Sequence, residues 1–158
     1  MSLIPTSIIQ TNAVLGEGPI WDVASAKLWW VDIYEKKVYR FDPITGKKQV
    51  WTVPAHPGTV VPRGDGGAIL ALRSGLATLD AEGDITHLKV THEHGPDFSF
   101  NDGKCDAHGR LWVGTQDDTP NTFRAHLYCW DGVTLQRKLD TIGLSNGIGW
   151  SRDGSTMY

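Results

Sequence analysis

EGPIWD at residues 17–22, NDGKCD at 101–106 and NGIGWS at 146–151 are three versions of one short pattern, each running through turn residues into an aromatic-rich stretch. The following stretches open LWWV at Leu28, LWVG at Leu111 and TMY at Thr156. A weaker version begins at Gly58, passes Val60, Val61 and Arg63, and continues into AILA from Ala68. With Glu17, Gly58, Asn101 and Asn146 taken as equivalent, the steps are 41, 43 and 45 residues. A repeat of that length suits a four-stranded propeller blade, which cannot bury its apolar face alone and must stack on its neighbours.

The rest of the chain agrees with strands. Short β-compatible runs are closed by turn residues, and the pairs Asp65-Gly66, Asp102-Gly103, Asp131-Gly132 and Asp153-Gly154 supply hairpin chemistry. No segment keeps apolar residues at helical spacing over three turns with a cap at either end. The reading is an all-β chain covering about the first three and a half blades of a six-bladed propeller. Blade one is expected over about 17–54, blade two over 58–92, blade three over 101–142, and the start of a fourth over 146–158. Within them the first strands are expected at 19–22, 59–62 and 104–106. A β-sandwich with coincidental turns is the competing architecture, since strand spacing alone suits both. A blade cut inside its second strand leaves an open edge, so a protein about twice as long is expected, with self-association of the shorter chain.

Composition narrows the function class. An apolar fraction of 40%, a charged fraction of 21% and a net charge of −3 are those of a globular protein. No basic run exceeds Lys36-Lys37 or Lys47-Lys48, so neither nucleic acid nor an acidic membrane is an expected partner. The opening residues lack a basic region and a long apolar run, and no stretch reaches transmembrane length, which points to the cytoplasm. Cys105 and Cys129 lie far apart in strand-like sequence; buried thiols are the favoured reading, with a disulfide as the alternative.

The innermost strands of a propeller start at one mouth of its central tunnel. The equivalent positions just before those strands hold Glu17, Asn101 and Asn146. One carboxylate and two carboxamides facing one axis make a hard-oxygen site suited to Ca²⁺, Mg²⁺, Mn²⁺ or Zn²⁺. On the residues alone, turn-shaping by Asx and Gly is an equally good account.

The strings GEGPIWD, FNDGKCDAHGRLWVGT and GLSNGIGWSRDGSTMY closely resemble three signature segments of the SMP-30/gluconolactonase/regucalcin family, in order and at matching separations from about residue 15 to 158. The resemblance implies a six-bladed propeller with one divalent cation on its axis, opening sugar lactones. It also implies that Glu17 and Asn146 are metal ligands and that Asn101 contacts substrate near the metal. The family's remaining ligand, an aspartate that is also the acid/base residue, is expected beyond Tyr158, so no catalytic acid/base residue is expected within 1–158. Ser99 stands where some members carry a substrate-binding arginine. Thr119, next to Asp117 and Asp118, stands where animal members carry a substrate-contacting acid, which leaves the sugar open. Asp102 is a candidate partner of the metal-site residues, or simply a turn residue.

Two other functions use the same scaffold: an esterase or organophosphate hydrolase, and a non-catalytic Ca²⁺-binding or interaction propeller. Several tempting features weigh less. His92-Glu93-His94 reads as a polar connection, Cys105 as core, and Gly64-Asp-Gly-Gly67 lacks the helix a phosphate loop needs. Trp21, Trp29, Trp30, Trp112 and Trp150 recur at equivalent positions and read as packing between blades.

Overall fold

The computed structural model describes residues 6–89, 97–119 and 122–158. Twelve strands form three four-stranded antiparallel sheets among these residues. The first sheet is β1 (Gly16–Asp22), β2 (Lys27–Asp32), β3 (Lys37–Phe41) and β4 (Lys48–Thr52); the second is β5 (Pro57–Pro62), β6 (Ala68–Leu72), β7 (Gly75–Leu79) and β8 (Ile85–Lys89). The third is β9 (Phe98–Cys105), β10 (Leu111–Asp117), β11 (Ala125–Trp130) and β12 (Leu135–Ile142). Strands follow one another in chain order in every sheet, so each sheet is a simple meander with no Greek-key crossover.

Apolar residues from adjacent sheets meet face to face. Trp29, Val31 and Val38 of the first sheet pack with Val60, Leu70 and Leu79 of the second. Val61, Ile69 and Leu76 on the other face of the second pack with Phe100, Val113 and Tyr128 of the third. The second sheet is therefore apolar on both faces: all five residues of β6 are buried. Burial on this scale, at roughly 25 cal/mol per Å² of apolar surface, drives the stacking. Asp32 fixes the lead-in to β1. It is fully buried and accepts the backbone N–H groups of Val14 at 2.9 Å, Leu15 at 3.2 Å and Glu35 at 3.2 Å. Burial works against its charge, but those N–H groups and Lys37 lower its pKa on balance.

The first strand of each sheet begins earlier than the sequence suggests. The strands expected at 19–22, 59–62 and 104–106 start at Gly16, Pro57 and Phe98. Each contains a bulge that hides the alternation on which the shorter assignment rests. Pairing steps from Glu17↔Val31 to Ile20↔Trp29 in β1, from Pro57↔Leu72 to Thr59↔Ala71 in β5, and from Phe100↔Thr115 to Gly103↔Val113 in β9. Each step sets one extra residue against the partner strand. Asp102-Gly103 consequently lies within β9 and is not a hairpin turn. After β12, a short ladder joins Trp150 to Met157, with reciprocal Gly149–Tyr158 backbone bonds of 3.1 and 2.8 Å. The His92-Glu93-His94 segment lies outside the described residues.

Candidate functional site

The three bulges lie side by side, because β5 neighbours both β1 and β9. Around them opens a cavity of about 880 Å³, lined from all three sheets and from the segment 144–148. Glu17, Ser99, Asn101, Asp102 and Asn146 all line it. A bulge re-aims the side chains at its own position, which lets strands that otherwise pack apolar faces present polar groups to one space.

Glycines permit the close approach. A Cβ on Gly58 would collide with the Phe100 carbonyl oxygen and come within 2.6 Å of that of Asn101. The fourth equivalent position thus carries no side chain because β9 occupies the space. Gly114, opposite the Asn101–Asp102 bulge, likewise leaves room for the Ser145 side chain.

Ser145 in turn ties the segment 144–148 to β9. Asn101 Nδ2 donates to the Ser145 carbonyl at 2.8 Å. A carbonyl only accepts, so the amide must face it with its NH₂ group, and Asn101 Oδ1 is left as an acceptor. On the other side of Asn146, the Gly147 N–H donates to Asp102 Oδ2 at 2.9 Å, while Asp102 Oδ1 takes the Gly103 N–H at 2.8 Å. Asn146 is thus held on both sides by neighbouring bulge residues.

Thr119 is not among the residues lining the cavity. Its N–H donates to Asp117 Oδ1 at 2.9 Å, and its hydroxyl accepts from Arg124 Nη2 at 2.8 Å. Asp117 organises this loop: it has no exposed side-chain surface and pairs with Arg124 Nε at 2.8 Å and with the Thr122 hydroxyl. The Arg124 hydrogen bond leads in holding its carboxyl well below the usual carboxylate range.

Arg73, Gln116, Tyr34 and His56 also line the cavity, and none of them carries a signal in the sequence. Arg73, just past β6, pairs through Nη2 with Asp118 Oδ2 at 2.6 Å, and Gln116 Nε2 donates to Asp118 Oδ1 at 3.0 Å. Tyr34 and His56 line the wall with their rings edge to face. Trp21 lines the cavity and is 48% exposed, whereas Trp29 is buried between the first two sheets. Cys105 and Cys129 are unbridged, and burial raises both thiol pKa values.

The donor set fits a hard divalent cation: a Glu17 carboxylate and the Asn146 carbonyl oxygen line one cavity, with Asn101 Oδ1 as a further polar acceptor on it. Among the described residues, no three His, Cys, Asp or Glu side chains gather into a metal cluster.

Residues 15–158 match the SMP-30/Gluconolactonase/LRE-like region family. A 6-deoxy-6-sulfogluconolactonase of Pseudomonas putida is 33% identical over 153 residues, covering 96% of this chain and 53% of the relative. Regucalcin of Xenopus laevis is 33% identical over 158 residues, with the same coverage of each. The solved structure of a calcium-binding protein, regucalcin, from Agrobacterium tumefaciens superposes with a TM-score of 0.86 at 30% identity, covering 94% of this chain and 50% of that one. The chain spans about half the length of the relatives it matches.

Proposed function

The chain belongs to the SMP-30/gluconolactonase/LRE-like family, and from that premise we propose that the whole protein is a metal-dependent hydrolase opening sugar lactones on a six-bladed propeller. The observation that carries this reading is the convergence of Glu17, Asn101 and Asn146 on one cavity, at bulges and ties that fix their approach. Relatives named as lactonases support the reaction class, and a calcium-binding relative supports a divalent cation. Blade extents of about 17–54, 58–92, 101–142 and 146–158 belong to the same proposal.

Glu17 and Asn146 would hold Ca²⁺, Zn²⁺, Mn²⁺ or Mg²⁺. Such a cation supplies Lewis-acid polarisation of the lactone carbonyl and a lower pKa for attacking water. Asn101 Oδ1 accepts a substrate hydroxyl, and Ser99, 7% exposed on the same strand, offers a further hydroxyl contact. Asp102 keeps Asn101 and Asn146 in register by holding the Gly147 and Gly103 N–H groups. Thr119 enters the proposal only as a contact at the rim of the loop beside Asp118. The base that takes the proton from water is an acidic residue beyond Tyr158.

The test is a substrate panel on the whole protein: glucono-1,5-lactone and xylono-1,4-lactone beside an aryl ester and an aryl phosphate, with chelator and metal add-back. Lactone turnover lost to chelator and restored by one of these cations supports the reading. Preference for the aryl ester or phosphate favours an esterase or phosphotriesterase, and cation binding without turnover favours a binding protein. Residues 1–158 alone should show no turnover, since loss of a positioned base costs on the order of 10² to 10⁴ in rate.

A further inference from the structure

We propose that Asp32 is a positioning residue for the cation ligand Glu17, acting through the lead-in that its buried carboxylate clamps. The proposal deepens the metal-dependent reading and rests on Glu17 being a ligand. Asp32 itself does not line the cavity.

Glu17 stands in a part of the chain that does not fix itself. β1 opens one residue earlier at Gly16, and the bulge that follows sets Gly18 at φ +56°. Glycine on both sides leaves the backbone free to swing, so the carboxylate needs an outside anchor. Asp32 supplies one. Its Oδ2 takes the Val14 N–H at 2.9 Å, and its Oδ1 takes the Leu15 and Glu35 N–H groups, both at 3.2 Å. One carboxylate thus binds the two residues ahead of Gly16 to the turn that follows β2. Asp32 also faces Gly16 across the ladder, one pair away from Glu17↔Val31. Hydrogen bonds to an ionised acceptor are among the stronger ones, and a ligand fixed before its cation arrives lowers the ordering cost of binding.

The fold by itself does not ask for a carboxylate there. Asp32 opposite Gly16 corresponds to Leu72 opposite Pro57 in the second sheet, and both are fully buried. The backbone tie is common to the two sheets: Ile33 N–H donates to the Leu15 carbonyl at 3.0 Å, and Arg73 N–H to the His56 carbonyl at 2.8 Å. The carboxylate clamp is what the first sheet adds. A buried charge is costly unless hydrogen-bonded, and it stands in the sheet whose next residue along is Glu17, whereas the sheet with Gly58 at that place has leucine. In the third sheet the corresponding residue is Thr115, opposite Phe100, and its carbonyl accepts the Ser145 N–H at 3.2 Å. The same strand position therefore ties the lead-in to each of the two candidate ligands, Glu17 and Asn146.

Titrating the labelled whole protein with Mn²⁺ tests this, with paramagnetic broadening at Glu17 and Asn146 as the readout. Asp32→Asn keeps the shape of the side chain but turns one accepting oxygen into an NH₂ group. It should raise the Mn²⁺ needed for half-maximal broadening about tenfold. In the metal-free variant, the Val14 and Leu15 amides should exchange with solvent about tenfold faster. Val14→Pro removes one clamped N–H from a residue that is 62% exposed, so the core is untouched even if Asp32→Asn folds poorly. It should raise the Mn²⁺ requirement about threefold. Leu79→Ala, in the same core but not on the cavity, separates positioning from stability. It should weaken the fold in urea and leave the Mn²⁺ requirement unchanged. An unchanged requirement in both Asp32→Asn and Val14→Pro, or an equal rise in Leu79→Ala, would overturn the positioning role while the cation reading stands. Wild-type cavity resonances that ignore Mn²⁺ would sink the cation reading and the proposal with it.

Discussion

Asp102 Oδ2 accepts the Gly147 backbone N–H at 2.9 Å, joining a bulge in β9 to a segment 45 residues later in the chain. Asn101 makes a second tie to Ser145 at 2.8 Å, so Asn146 is positioned from both sides. Asp102→Ala should release the Gly147 amide, raising its hydrogen-exchange rate about tenfold or more while leaving the amides of β6 and β7 protected. Asp102→Asn should recover only part of the protection, because its NH₂ group cannot accept.

Gly58 sits where β5 and β9 come closest. Gly58→Ala drives a Cβ into the Phe100 and Asn101 carbonyl oxygens, neither of which can move without shifting β9. The expected cost is about 1–3 kcal/mol in urea unfolding. An alanine at Gly46, which has open space around it, is a weaker control, since its φ of +72° carries its own smaller strain.

How far the sequence could be read follows from these residues. The repeat of EGPIWD, NDGKCD and NGIGWS exposed the strand content and the positions of Glu17, Asn101 and Asn146, because side chains that share an environment leave a periodic trace. The bulges left none: one extra residue in a strand looks like the strand's end, and so Asn101 was expected before β9 although it lies within it. Asp102-Gly103 has turn composition but sits in a strand, since its carboxylate is occupied by Gly103 and Gly147. Asp118 is marked in the sequence only as a neighbour of Thr119, and its pairing with Arg73 leaves no trace there, because the two lie 45 residues apart and outside the repeated pattern.

Asp106 closes the β9–β10 hairpin. Its carboxylate accepts the His108 and Arg110 N–H groups at 2.9 and 3.0 Å, Arg110 Nε at 2.7 Å and Trp112 Nε1 at 2.9 Å. Burial opposes its charge, but these donors win and lower its pKa from 3.8 to about 2. The folded pKa lies below the unfolded one, so its contribution is present above about pH 3.8 and is lost as pH falls toward 2. Asp106→Asn should lower stability at pH 7 by about 1–3 kcal/mol. In urea titrations, the gap between variant and wild type should shrink between pH 4 and pH 2; a gap independent of pH would contradict the assignment.

The account rests most heavily on a divalent cation held by Glu17 and Asn146, with Asn101 beside it. Titrating Mn²⁺ into labelled residues 1–158 and following paramagnetic broadening in NMR spectra tests this directly, because broadening reports even weak binding by proximity. The resonances of Glu17, Asn101 and Asn146 should broaden first, and Glu17→Gln should raise the Mn²⁺ needed by about tenfold, as removing a charged oxygen ligand weakens a hard-cation site. Broadening that begins at surface carboxylates such as Asp42 or Asp153 while the cavity residues stay sharp, or that ignores Glu17→Gln, would contradict it.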